Sequence, residues 1–175
     1  MSKEQEKILI MGLTNSGKTS IVLSLKKDTN LLSYVSLKPT KGIERSVFVD
    51  DNKVFHIWDF GGQEQYRKDY LEKMDQYLIE TKRLIYVIDV QDEDNYELSL
   101  KYYNDIIKSL PEDYHSISLD IYLHKFDFSF EFNKDKIANL IKRIEEKVPK
   151  FLDCVIFKTS IFTVFLRSGF NKEVL

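Results

Sequence analysis

The sequence predicts an α/β fold: a mostly parallel six-stranded sheet in three layers, with helices on both faces. Two observations point to it. Short apolar, β-rich runs alternate along the chain with segments whose apolar residues recur every three or four positions. The size and composition, 175 residues with 43% apolar and 31% charged content, suit one globular domain with a self-sufficient core. In such sheets ligands bind at the carboxyl ends of the strands, so the residues just after each strand carry the functional expectation.

The elements follow in order. Residues 7–11 read Lys-Ile-Leu-Ile-Met, a buried strand that stops at Gly12. A helical pattern follows Lys18, with Ile21, Val22 and Leu25 on one face and Asp28, Thr29 and Asn30 as its stop. Residues 33–42 read as loop. Residues 43–49 and 53–58 alternate apolar and polar types around Asp50-Asp51-Asn52, a hairpin pattern. One helix is expected after Gly62, with Tyr66, Tyr70, Met74 and Tyr77 at helical spacing. Residues 84–90 are a strand. Tyr96, Leu100, Tyr103, Ile107 and Leu110 mark a helix that Pro111 closes. Residues 119–123 are a strand, Ile137, Leu140, Ile141, Ile144 and Val148 a helix, and 154–158 the last strand.

Composition removes several function classes. Lys plus Arg number 26 against 28 Asp plus Glu, a net charge of −2, so no nucleic-acid partner held by a broad basic field is expected. Cys154 is alone, which leaves no internal disulfide and no cysteine-based metal cluster and fits a reducing compartment. His56 and His115 show no ligand spacing. No run of 18 apolar residues exists, the first seven residues are polar, Ser2 is no myristoylation glycine, and residues 172–175 are no prenylation box. The expectation is a cytoplasmic protein with no intrinsic membrane anchor that reaches membranes, where it does, through partners.

The first strand runs into Gly12-Leu13-Thr14-Asn15-Ser16-Gly17-Lys18-Thr19, the pattern G-x-x-x-x-G-K-[ST] of a P-loop. Its glycines let successive N–H groups, over Thr14, Asn15, Ser16, Gly17, Lys18, Thr19 and Ser20, turn toward phosphate oxygens at a helix N-terminus. Lys18 reaches the outer phosphates and Thr19 offers a hydroxyl to Mg²⁺. The fold is thereby specified as that of a P-loop NTPase. Trp58-Asp59-Phe60-Gly61-Gly62-Gln63 ends the third strand. An acid there is the usual second Mg²⁺ anchor, through water, while the Gly62 N–H faces a γ-phosphate and Gln63 orients the attacking water. Thr40, in Lys38-Pro39-Thr40-Lys41-Gly42, adds a hydroxyl to Mg²⁺ and γ-phosphate. In His124-Lys125-Phe126-Asp127, after the fifth strand, the Asp127 carboxylate accepts two hydrogen bonds from a guanine edge, which adenine cannot supply. Arg45 and Arg67 flank these loops and read as solvated surface residues, not as an internal arginine finger.

These elements in this order resemble the Ras superfamily of small GTPases. The first half, through Pro39-Thr40-Lys41-Gly42 and Trp58-Asp59-Phe60-Gly61-Gly62-Gln63, is similar to the ADP-ribosylation-factor branch. The second half resembles the Rag/Gtr branch, with His124 where most families have Asn, with residues 84–89, and with Thr159-Ser160-Ile161 in the place of the loop that touches the base from its other side. The resemblance implies GTP and GDP as ligands, Mg²⁺ as cofactor, and Lys18, Thr40 and Gln63 as the catalytic group. It gives the base site to His124, Lys125, Asp127, Ser160 and Ile161, and switch loops to residues 33–42 and 60–71. An exchange factor, an activating protein and an effector would act through those loops.

Residues 162–175 stand where the family has its last helix. The expectation is a single small-GTPase domain over 1–175 whose last helix is short or incomplete. The expectation from these residues is a chain with neither the C-terminal dimerisation domain of Rag proteins nor the lipidated N-terminus of ADP-ribosylation factors, and monomer and dimer both stay open. The leading reading is a slow GTP-hydrolysing switch. A non-catalytic guanine-nucleotide-binding adaptor is the alternative, and a P-loop ATPase or kinase is disfavoured by Asp127.

Overall fold

The computed structural model describes residues 3–26, 29–50, 52–111, 117–127, 130–164 and 167–175. Asp28, Asp51 and His115 lie outside them. A seven-stranded sheet in the order β2-β3-β1-β4-β5-β6-β7 runs through the molecule. The strands are β1 (Glu4–Gly12), β2 (Ile43–Val49), β3 (Lys53–Phe60), β4 (Thr81–Asp89), β5 (Ser118–His124), β6 (Cys154–Val164) and β7 (Arg167–Val174). β1, β3, β4, β5 and β6 are parallel, and β2 and β7 close the two edges antiparallel. The helices are α1 (Lys18–Ser24), α2 (Leu31–Val35), α3 (Glu64–Glu72), α4 (Met74–Leu78), α5 (Tyr96–Lys108) and α6 (Lys134–Glu145).

Alternation in the central strands produces two cores. Leu9 and Met11 of β1, with Leu84, Tyr86 and Ile88 of β4 and Leu119, Ile121 and Leu123 of β5, meet α3, α4, α5 and α6. Ile8 and Ile10, with Ile57, Ile85, Val87 and Tyr122, meet Ile21 and Val22 of α1. The first face is covered by four helices and the second carries an open groove of about 1250 Å³, lined by Ile8, Ile10, Ile57, Ile85, Phe55 and Tyr122 among others. No helix among the described residues is long and apolar enough to cross a membrane.

Three expectations are corrected. The sheet has seven strands, not six, because residues 167–174 pair antiparallel with a β6 that extends to Val164 instead of forming a last helix. Gly169 lowers helix propensity there, and Lys172 secures the new strand by donating to Tyr122 Oη (3.0 Å) and lying 3.5 Å from the Phe157 ring centroid. The loop expected at 33–42 begins inside α2, because Asn30 accepts from the Ser33 N–H (3.2 Å) and caps a short helix. The single helix expected after Gly62 breaks at Lys73 (φ −113°, ψ 16°) into α3 and α4. The break lets Tyr70 and Tyr77 both meet Phe60, with ring centroids 4.9 and 5.1 Å away. The remaining strands and helices stand where the sequence places them, within a few residues.

Candidate functional site

The chain leaves β1 at Gly12, loops through residues 13–17 and enters α1 at Lys18. The Lys18 side chain is 5% exposed and turns back into the loop. Its ammonium donates to the carbonyls of Leu13 (2.6 Å) and Gly12 (3.1 Å). Burial pushes its pKa down to about 8, against the pull of Asp59. Thr19, Thr40 and Asp59 converge beside it from α1, the 36–42 segment and the end of β3. Thr19 Oγ1 donates to Asp59 Oδ2 (2.5 Å) and lies 2.9 Å from Thr40 Oγ1, itself 3.4 Å from that oxygen. Asp59 is 2% exposed, and burial raises its carboxyl above the ordinary range while the Thr19 hydroxyl and Lys18 oppose. Its second oxygen, Oδ1, is buried without a hydrogen-bond partner.

A cavity of about 250 Å³ opens over this cluster, lined by Thr14, Asn15, Gly17, Lys18, Thr19, Ser20, Thr40 and Gly62, together with residues 37–39. Gly62 has no room for a side chain: a Cβ would lie 2.2 Å from Leu13 C and Thr14 N. The two flanking segments are tied together, since Gly61 N–H and Tyr70 Oη–H both donate to the Gly42 carbonyl (each 2.8 Å). Gln63 does not line the cavity. It precedes α3, and its side-chain oxygen accepts from Gln65 Nε2 (3.3 Å). Ser16 is buried next to the lysine, 3.4 Å from Nζ.

The second half of the site lies at the ends of β4, β5 and β6, where Asp89, His124 and Thr159 stand side by side in register. His124 is 2% exposed and its Nδ1 is 2.8 Å from Thr159 Oγ1. Burial, helped by the nearby Lys125 charge, pushes its pKa down to about 3, so the imidazole is neutral. Its ring fills the space beside Gly17, where a Cβ would come within 2.4 Å of Cδ2. Lys125 follows with φ +67° and pairs with Asp89 Oδ2 (2.5 Å). Asp127 and Ser160 line one cavity of about 230 Å³ with Phe126, Phe130, Phe132, Lys158, Thr159 and Glu173.

Thr14 to Ser20, Thr40, Asp59 and Gly62 are thus gathered, as are His124, Asp127 and Ser160. Thr159, Ser160 and Ile161 are not in a loop, as expected, but inside β6, paired with Lys172, Asn171 and Phe170 because β7 extends the ladder. Ile161 does not line the cavity. Arg45 is exposed and stacks on Trp58 (4.0 Å), as does Lys7 (4.2 Å). Arg67 is not a solvated residue. It is half-buried, 5.4 Å from the Tyr102 ring centroid, with its Nε buried and unpartnered. Sequence reasoning missed Gln91, whose side-chain amide reaches Lys125 and Asp127. Its place two residues beyond a strand end is the signal that could have found it.

A family profile described as the Gtr1/RagA G protein conserved region matches residues 7–172. The chain is 25% identical over 201 aligned positions to Ras-related GTP-binding protein B of Rattus norvegicus, covering 97% of this chain and 53% of that protein. It is 30% identical to GTP-binding protein gtr1 of Schizosaccharomyces pombe, over 97% of this chain and 56% of that one. It therefore spans a little over half the length of these relatives. ADP-ribosylation factor-like protein 3 of Saccharomyces cerevisiae is 36% identical over 51% of this chain and 45% of its own. Among solved structures, the Arl6 small GTPase of Trypanosoma brucei, with bound nucleotide analogue GppNp, superposes with a TM-score of 0.71 at 19% identity, covering 89% of this chain and 87% of that one. That likeness concerns the fold.

Proposed function

This chain belongs to the Gtr1/RagA family of G proteins, within the Ras superfamily of small GTPases, and from that premise we propose that it is a molecular switch that binds GTP and GDP with Mg²⁺ and slowly hydrolyses GTP to GDP and phosphate. The observation that carries the reading is the meeting of Thr19, Thr40 and Asp59 beside the Lys18 loop. Residues 1–175 act as one G domain. Exchange, activating and effector proteins engage the 33–42 and 60–71 segments, in the cytoplasm and at membranes that partners occupy.

The residues fit Mg²⁺. Two hydroxyls and a carboxylate converge, and Asp59 Oδ1 is an orphaned acceptor that a metal-bound water would satisfy. Thr19 and Thr40 would hold the ion directly and Asp59 through water. When bound, Mg²⁺ neutralises negative charge on the outer phosphate oxygens. Lys18 exchanges its carbonyl contacts for phosphate oxygens, which restores full charge to an ammonium depressed by burial. The backbone of residues 14–20 wraps the phosphates, and Gly62, packed too closely against residues 13 and 14 for a side chain, offers its N–H to the γ-phosphate. Gln63 leaves Gln65 to orient the water that attacks in line, and its proton passes to the released phosphate. Asp127 selects guanine, Lys125 packs along the base, and Ser160 supports it, with Ile161 next to it in β6.

With no arginine among the described residues that line the Lys18 cavity, unaided turnover is on the order of 10⁻⁴ to 10⁻² per second. The test is to denature the purified protein, identify the released nucleotide by chromatography, then reload with GTP and Mg²⁺ and follow phosphate. Released guanine nucleotide and slow phosphate production are expected. Gln63→Leu should keep GTP bound and lose activator-stimulated hydrolysis; full activity in that variant removes Gln63 from the mechanism. Tight GTP binding with no phosphate release over a day selects the adaptor reading, which the Gln63–Gln65 contact favours.

A further inference from the structure

Between the ends of β4 and β5, Gln91 reaches across to the base-recognition segment. Its Nε2 donates to the Lys125 carbonyl (2.7 Å) and to Asp127 Oδ2 (2.9 Å). A primary amide nitrogen has two hydrogens, so both are used, and since both partners are acceptors the amide can point only one way. Gln91 is itself fixed: its backbone N–H donates to Asp89 Oδ1 (3.0 Å), while Asp89 Oδ2 holds the Lys125 ammonium (2.5 Å). Asp89, Gln91 and Lys125 therefore form a closed bracket whose only side-chain donor directed at a carboxylate outside the bracket is the Gln91 amide. The bracket also holds Lys125 at φ +67°, a conformation that residues other than glycine seldom adopt.

We infer that Gln91 is a positioning residue for guanine recognition: by donating to Asp127 Oδ2 and to the Lys125 carbonyl it sets the plane of the carboxylate that reads the base. The inference rests on the guanine-switch reading above. The chemistry is specific. Guanine offers two parallel donors, the ring N1–H and the 2-amino group, and a carboxylate meets both only when its plane lies in the plane of the base. Each carboxylate oxygen accepts two hydrogen bonds, so Oδ2 can keep Gln91 and still take one donor of guanine. Hypoxanthine has N1–H and lacks the 2-amino group, so inosine nucleotides need a carboxylate nearby but not its orientation.

The experiment measures GDP and IDP affinity, by calorimetry with Mg²⁺, for the full chain and for Gln91→Ala and Gln91→Met. Methionine keeps the length and bulk of the side chain and removes the donor. The wild-type chain should prefer GDP, and both variants should lose about tenfold of the GDP-to-IDP ratio with IDP affinity changed less than about twofold. GDP and IDP affinities falling together, at an unchanged ratio, would mean that Gln91 only scaffolds the loop and overturns the inference. Unchanged affinity for both overturns it as well. Failure of the underlying reading is seen separately, in the wild-type chain: GDP bound no better than ADP removes guanine selection itself.

Discussion

At the proposed phosphate end of the site, Thr19, Thr40 and Asp59 point at one another beside a Lys18 ammonium that donates to the loop carbonyls, and the cluster retains a buried carboxylate oxygen with no partner. At the base end the polar groups are already satisfied by neighbours: His124 by Thr159, Lys125 by Asp89, Asp127 by Gln91. The first region leaves one buried acceptor unmet, and the second is a hydrogen-bonded frame that holds one carboxylate. On the proposed reading, binding energy and specificity are separated in space: phosphate and metal would supply charge that relieves the first cluster, while the second would discriminate by shape and donor pattern. The two meet where the His124 ring lies against Gly17.

Lys18→Met tests the phosphate end and should have the largest effect. A buried ammonium that contacts phosphate is worth about 2–5 kcal/mol when its anion is left behind, so GDP affinity should fall by roughly 30-fold to several thousandfold. The loss should be the same for GDP and IDP, since the base end is untouched. Titration calorimetry with both nucleotides reads it. A loss below about fivefold would show that the backbone of the loop, not its lysine, carries phosphate binding.

Gly17→Ala tests the contact between the two ends. The residue sits at φ +95°, and its new Cβ would lie 2.4 Å from His124 Cδ2 and 2.8 Å from Nε2. Backbone strain and overpacking should cost about 1–3 kcal/mol of stability, read from urea denaturation. Combining it with His124→Ala should recover the steric part and leave the strain, a non-additivity of about 0.5–3 kcal/mol. Strictly additive losses would mean that ring and loop do not press on one another.

The phosphate end was largely legible in the sequence because a contiguous run, residues 12–19, supplies most of it, and its backbone geometry follows from two glycines and a helix start. Asp59 was legible from its place at a strand end, and Thr40 from the segment Lys38-Pro39-Thr40-Lys41-Gly42 in the loop before β2. The base end was legible only in part. Asp89, His124 and Thr159 are far apart in sequence and become neighbours through the register of β4, β5 and β6, which no local pattern encodes. Gln91 stands just past a strand end, but its partners Lys125 and Asp127 are distant in sequence, and Arg67 was misread because its burial depends on where α5 places Tyr102. In the fold, alternation and helical spacing located the central strands and long helices. They did not reveal β7, whose partner is the far end of β6, nor the break at Lys73, which serves the aromatic packing around Phe60.

The smallest effect concerns the charge state of His124. Burial holds its folded-state pKa at about 3, whereas an unfolded histidine titrates near 6.5. Between those values the unfolded chain binds a proton that the folded chain refuses. Stability contributed by the neutral ring is therefore complete above about pH 6.5 and is lost as pH falls toward about 3. From pH 7 to pH 5.5 the loss amounts to about 1 kcal/mol. Urea midpoints measured across that range should fall more steeply for the wild-type chain than for His124→Asn, which has nothing to protonate there, and every other titrating group cancels in the comparison. Parallel curves would mean that the ring takes up its proton without leaving the contact between Gly17 and Thr159, and the base end would then be less closed than its geometry implies.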